Sequence, residues 1–551
     1  MSKKTKQLID TSRMYSQAKK GLGRFFSNNS FVILAFVLPF LIMLLNFAIK
    51  RFAPFGDQQI LVVDLWHQYY PFLVDFQDKI ISGQSLLHSW TNGMGGNYLA
   101  LLSYYVASPI NFLTAFVPAS FLREFLMLSV CVEVGCAGGF TAIFLKKTFH
   151  KNGLPLVFFS VGYGCCAFFM GYYWNVIWLN TVAMLPLVAL GMVMLWRENK
   201  FCLYTISLAL SVIANYYVGL FACIFTFLCF IGYSIMYWNG WKEFFSRLAR
   251  TVIFSVIALM ITAFISLPAF NGLQLTYSTN NSWPDTIRTY YNWSEIMSQS
   301  LDFITPSTKE NLPNMACGMA ALFFGIMFLS ARKVTWRAKA FSIGLLAFLV
   351  ASFNVNVLDY VWHGMHFTNM IPHRFAYLFS FVLVVMAYRA YTLIEKARIW
   401  DVLLGFLGSL LLCVISSTIQ TGTVVWGSFL LICILTVATG LYIFKIYPRV
   451  VLDLVVFTLV LVEMFIAGYK GIEAVSSTST ANYPEGEAVT ADVIRAMNNL
   501  ETNTVDMWRA EMTKTQTLND ASLNGYNGIS QFSSMSNVSV TKFLEEFGCQ
   551  G

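Results

Sequence analysis

The sequence predicts an all-α protein that crosses a membrane about thirteen times, and three observations carry that reading. Of 551 residues, 57% are hydrophobic and only 12% are charged, about half the charged share of an ordinary water-soluble chain. The mean hydropathy is +0.61. Apolar runs of roughly 17–23 residues recur along the chain, and as helices they match a ~30 Å hydrocarbon core. Basic residues gather in alternate gaps between those runs, as the positive-inside rule requires.

Taken in order, residues 1–30 read as a basic cytoplasmic N-terminus with no small-residue cleavage site. Residues 31–470 read as the multi-span domain. Spans are expected near 31–49, 121–145, 154–172, 175–195, 201–214, 217–238, 251–270, 316–331, 340–353, 373–390, 401–419, 425–444 and 450–468. The long run 201–238 is expected to break at Asn215-Tyr216-Tyr217. With the N-terminus inside, the inner segments take 24 of the 36 Lys and Arg. Segments 50–120, 271–315 and 354–372 then face outward, and so does the tail 471–551. That tail turns polar, and its turn signals followed by a helix-like stretch suggest a small α/β segment. It reads as a shortened version of a longer outer domain.

Several chemistries find no support. The chain holds no GxxxxGK[ST], GxSxG, HExxH or CxxC pattern. The inner gaps are too short for a nucleotide-binding domain. The net charge of +8 is sorted by topology, so nucleic acid is not an expected partner. Most of the eleven cysteines sit in apolar runs, where cysteine packs as a small hydrophobe. His363, His366 and His373 are too loosely spaced for a ligand set. No metal site and no cofactor are assigned, and a divalent ion is left open.

The candidate chemistry lies in the expected outer segments. Asp64 sits in the apolar stretch ILVVDLW, where a carboxylate is costly unless paired or used. His67, Tyr69, Tyr70, Trp90, Asn92 and Asn97 follow it. The blander reading of the aromatics is an interfacial belt. His373 and Arg374 stand at the outer mouth of a span. A guanidinium there suits a phosphate, or else it snorkels to lipid headgroups. The 271–315 segment combines aromatics with acids, including Tyr290, Tyr291, Glu295 and Asp302. That mixture suits sugar binding or an ordinary loop on a membrane.

A family resemblance rests on particular residues. Asp64, Gln68, Tyr69, Pro71 and Phe72, then Gly83, Trp90, Asn92, Gly95-Gly96 and SPIN at 108–111, resemble the YfhO-type bacterial membrane proteins. PHRF at 372–375 and GYNGISQFSSMSN at 525–537 are similar to the same family. The resemblance implies a GT-C-like glycosyltransferase in the bacterial plasma membrane. Its donor would be a polyprenyl-phosphate-linked sugar, and its acceptor a cell-envelope polymer such as lipoteichoic acid or a wall polysaccharide. Asp64 is then the expected base. Arg374, with His373 and His67, would meet the donor phosphate. Tyr69, Tyr70, Trp90, Asn92 and Asn97 would contact sugar or acceptor. One base and one phosphate clamp imply a single inverting displacement. The competing readings are a flippase for lipid-linked sugars, which would need charge deep in the spans, and a non-catalytic assembly factor.

Overall fold

The computed structural model describes residues 27–277, 282–309, 311–368, 370–481, 483, 490, 492–494, 496–497 and 508–548. The basic stretch 1–26 therefore lies outside the described residues, as does part of the tail.

Among the described residues, ten helices are long and apolar enough to cross a membrane. They are α1 (Ser27–Ile49), α4 (Leu122–Phe149), the paired α5 (Leu154–Gly164) and α6 (Ala167–Tyr172), α7 (Val176–Glu198), α9 (Tyr216–Met236), α10 (Trp241–Ile261), α14 (Trp336–Asn354), α17 (Ile399–Ser416), α18 (Gly422–Ile443) and α19 (Arg449–Val475). Three further expected spans are helical but short. They are α8 (Cys202–Ala214), α13 (Met319–Met327) and α16 (Tyr377–Thr392), with 13, 9 and 16 residues. At 1.5 Å per residue they reach only about 14–24 Å. The expected 251–270 span is divided at Thr262 into α10 and α11 (Ala263–Leu273), and α10 begins earlier, at Trp241.

The break at Asn215 is present and has a local cause. Asn215 is extended, and its Oδ1 accepts from the Val218 amide at 3.0 Å, so it starts α9 where α8 stops. Its Nδ2 also reaches the Tyr104 carbonyl at 3.3 Å. Asn215→Ala should lower stability by about 1–2 kcal/mol through the lost cap. Thermal unfolding in detergent checks this, and an unchanged midpoint would remove the capping argument.

Close helix contacts need small residues. A Cβ on Gly138 of α4 would lie 2.3 Å from the Ala35 carbonyl oxygen of α1, so the two backbones touch there as small residues allow in membranes.

The segments expected to face outward do gather at one end. β1 (Gln58–Gln59) of the first long loop pairs antiparallel with β4 (Thr478–Ser479) of the tail. Thr289 bridges to Val355, and the Ile371 amide donates to the Lys309 carbonyl at 2.8 Å. Segments expected inside meet one another in turn: Lys146 Nζ reaches the Asn28 carbonyl at 2.6 Å and Arg197 the Thr148 carbonyl at 3.4 Å.

The first loop is folded around α2 (Tyr70–Ser82), the hairpin β2 (His88–Ser89) and β3 (Gly96–Asn97), and α3 (Tyr98–Tyr105). Part of the expected α/β tail lies outside the described residues. Its described part holds α20 (Asp520–Asn524), α21 (Val538–Glu546) and the two-residue β4. Trp508, Ala510 and Met512 pack against Ile494, Ala521 and Tyr526, and the tail lies down on the first loop. Trp66 Nε1 donates to the Gln516 carbonyl at 2.9 Å, and the Trp66 ring stacks on Tyr483 at 4.6 Å.

Candidate functional site

A polar recess lies at the end where these loops gather. Helix ends build its wall. Tyr104 and Tyr105 close α3, Trp178 lies in the first turn of α7, Tyr216 and Tyr217 open α9, and Arg374 precedes α16.

Asp64 enters through an unusual backbone. Val63 has φ +51° and is followed by a π-helical turn, Leu65–Tyr69. A β-branched residue in the left-handed region costs roughly 1–3 kcal/mol and persists only where its surroundings impose it. A relay then fixes the carboxylate. Gln68 Nε2 donates to Asp64 Oδ1 at 3.1 Å, Tyr105 Oη donates to Gln68 Oε1 at 2.6 Å, and the Ser534 amide donates to Tyr105 Oη at 2.8 Å. The phenol's donation to Oε1 turns the Gln68 amide so that its N–H faces Asp64.

Arg374 is positioned as deliberately. Ile371 has φ +55°. Its carbonyl accepts from Arg374 Nε at 3.1 Å, and the Met370 carbonyl accepts from a terminal nitrogen at 3.0 Å. The guanidinium lies 5.1 Å from the Trp178 ring centre and 5.0 Å from that of Tyr217. Such contacts contribute ~0.5–2 kcal/mol each. A guanidinium has five N–H groups, and two of them are held by these carbonyls.

Asp64 and Arg374 interact across the recess, with Tyr69 and Tyr104 interacting with both. Among the described residues, neither belongs to an ion pair within 4.0 Å. Burial pushes the Asp64 carboxyl above its ordinary value, while Arg374 and the exposed Lys309 pull it down. Burial also pushes the Tyr69 phenol well up, so it stays a neutral donor. That hydroxyl donates to Asn175 Oδ1 at 2.7 Å.

The other expected site residues fall in different places. His67 offers its carbonyl to Asn519 Nδ2 at 2.6 Å, its Nδ1 is buried without a partner among the described residues, and burial lowers its basicity. His373 is fully buried against Tyr291 and Phe353, and burial pushes it down to about 4, so it is neutral. A neutral imidazole brings no positive charge to a phosphate. Tyr70 packs edge-on against Tyr483 at 5.7 Å. Trp90 lies at the junction with the tail, 4.7 Å from His88 and 5.4 Å from the Arg509 guanidinium. Asn92 accepts from Ser522 Oγ at 3.0 Å, and Asn97 caps α3 through the Ala100 amide at 3.0 Å. Of the expected set, the structure brings together Asp64, Arg374 and Tyr69.

Several other acids of these loops have their own partners. Asp57 pairs with Arg51 at 3.3 Å, and buried Asp75 pairs with Lys79 at 3.6 Å. Tyr290 donates to Asp359 at 3.1 Å, and Glu295 closes a capping box on α12 (Trp293–Ser298). Among the described residues no group of three or more His, Cys, Asp or Glu could hold a metal ion.

Sequence reading missed Tyr104, Tyr105, Tyr217, Trp178, Gln68 as a relay, and Lys309. The first four read as aromatic-belt or span residues, and only the fold brings Tyr104, Tyr217 and Trp178 to Arg374 and Tyr105 to the Asp64 relay.

A helical protein of many spans, with a charged and tyrosine-lined recess at one end, is a polytopic membrane protein with a polar site at the membrane edge. The family described as "Bacterial membrane protein YfhO" matches residues 35–551, and the chain belongs to that family. Among solved structures it is similar to ArnT from Cupriavidus metallidurans, in a crystal structure bound to undecaprenyl phosphate. Identity is 10%, 94% of this chain and 89% of that chain are covered, and the TM-score is 0.46. No curated protein sequence matches.

Proposed function

We propose that this chain is a GT-C-type glycosyltransferase that moves a sugar from a polyprenyl-phosphate donor to a cell-envelope polymer at the outer face of the plasma membrane. The observation that carries this reading is Asp64 and Arg374 held across one tyrosine-lined recess, neither in an ion pair within 4.0 Å among the described residues. The YfhO resemblance supports the class of donor and acceptor.

In the reaction, an acceptor hydroxyl attacks the anomeric carbon while Asp64 takes its proton. The bond from that carbon to the lipid-phosphate oxygen breaks, and the phosphate leaves with the electron pair. Arg374 offers the N–H groups that the Ile371 and Met370 carbonyls do not hold to the charge that develops there. A sugar phosphodiester is already activated, so the leaving group needs a cation more than a proton. One displacement inverts the anomeric centre.

The test is complementation of a deletion strain, reading sugar on the envelope polymer. Wild type should restore it, and the double variant Asp64→Asn/Arg374→Ala should not at equal membrane abundance. Equal restoration would reject the transferase reading in favour of transport or assembly.

A pH profile tests the base directly. Asp64 acts ionised, so rate is present above its folded pKa and lost as pH falls through it. Lys309 pulls that value down. Lys309→Met should therefore move the acid limb to higher pH, and its backbone carbonyl still accepts from Ile371. A limb that stays put, or moves lower, would show that Asp64 is not the titrating group.

A further inference from the structure

Beside the Asp64 recess lies a separate cavity of about 250 Å³, walled by the first loop, α11 and the tail. Its polar lining is His88, Asn92, Asn97, Gln531, Ser536, Asn537 and Thr541, and none of its lining residues is Asp, Glu, Lys or Arg. Among the described residues, two of these groups are buried without a partner: Asn92 Nδ2 and Ser536 Oγ. Asn92 is 2% exposed. A buried amide N–H left unpaired is destabilising, and a ligand hydroxyl would pair it.

Glycines shape this space. Gly93 and Gly95 have φ +54° and +94°. A Cβ on Gly95 would come 2.6 Å from the Trp90 ring, and one on Gly93 would come 3.2 Å from Gln531 Oε1.

The lining argues against an anion. α3 and α21 both begin at the cavity, and a helix N-terminus attracts negative charge through free amides. Here four of those amides are taken. Tyr98 N donates to the Leu87 carbonyl and Ala100 N to Asn97 Oδ1, each at 3.0 Å. Val538 N donates to the Leu275 carbonyl and Ser539 N to Asn537 Oδ1, each at 2.9 Å. With no Lys or Arg in the lining and these amides already paired, a phosphate would find little to replace its water. Amides and hydroxyls instead match groups that both donate and accept.

The cavity is also tied to the recess. Within the tail strip 531–537, Ser534 holds the Tyr105–Gln68–Asp64 relay, while Gln531, Met535, Ser536 and Asn537 line the cavity.

We propose that this cavity binds an uncharged, hydroxyl-rich chain, a neutral oligosaccharide stretch of the acceptor, and does not bind a polyanionic one. That the occupant is the acceptor rests on the transferase reading; the binding itself does not.

The test is equilibrium binding to purified full chain in detergent. The probes are labelled tetrasaccharides of glucose, galactose and N-acetylglucosamine, and a glycerol-phosphate tetramer. At least one neutral probe should bind wild type and Asp64→Asn alike. Its affinity should fall at least tenfold in Gln531→Ala/Thr541→Val, and also in the near-isosteric Gln531→Glu, each checked for an unchanged thermal midpoint. The proposal is overturned if no neutral probe binds at millimolar concentration, if glycerol phosphate binds as tightly, or if the cavity variants bind as wild type does. Neutral binding that persists while complemented cells show no polymer sugar would remove the transferase reading and leave the site.

Discussion

Asp64→Asn is expected to lower sugar transfer at least ~10²–10⁴-fold, the usual contribution of a positioned base, with membrane abundance unchanged. The amide has the carboxylate's shape. Gln68 Nε2 still finds an oxygen where it now meets Oδ1 at 3.1 Å, and the relay through Tyr105 to Ser534 survives. What is lost is the ability to accept a proton. Arg374 is untouched, so the donor should bind about as before and the loss should fall on kcat rather than on KM. Asp64→Glu keeps the charge but moves it by one methylene, and such misplacement alone costs on the order of 10²-fold. Initial rates in membrane vesicles with a synthetic polyprenyl-phosphate sugar measure all three proteins. An Asn variant within tenfold of wild type would mean that Asp64 is structural, and the strain at Val63 would then need another explanation.

Most of the scaffold was legible because its signals are local. Run length and the sorting of Lys and Arg marked the helices, and Asn215 marked the break that its capping geometry explains. Span length was less legible. α13 lies in an apolar stretch yet has nine helical residues, because Gly318, at φ +103°, starts it late. The site was legible in its two charges, since an acid in ILVVDLW and an arginine at a span mouth are expensive wherever they sit. Their setting was not. Tyr104 and Tyr217 lie 113 residues apart, and no periodicity links them. Trp90, Asn92 and Asn97 follow Asp64 closely in sequence, but the β2–β3 hairpin and α2 turn them toward the tail instead. His373 adjoins Arg374 in sequence, yet its ring is buried against Tyr291 and Phe353.

Arg374→Ala is expected to cost about 10²–10³-fold in transfer, the effect of removing one preorganised group from developing negative charge. The variant should still fold. It loses two ring contacts and leaves the Ile371 and Met370 carbonyls without their N–H partners, a loss of about 1–3 kcal/mol that thermal unfolding can quantify. Arg374→Lys separates charge from geometry. An ammonium restores a positive point but cannot hold both carbonyls and still present a planar fork to a phosphate. It should recover only part of the rate. Chemical rescue gives the sharper reading. Free guanidinium added to Arg374→Ala should diffuse into the vacated space between Trp178 and Tyr217 and restore transfer in a saturable way. A merely structural arginine would show lowered stability with no rescue. If Arg374→Ala transfers sugar at the wild-type rate, the leaving phosphate is met by another group, and Lys309 becomes the first residue to replace.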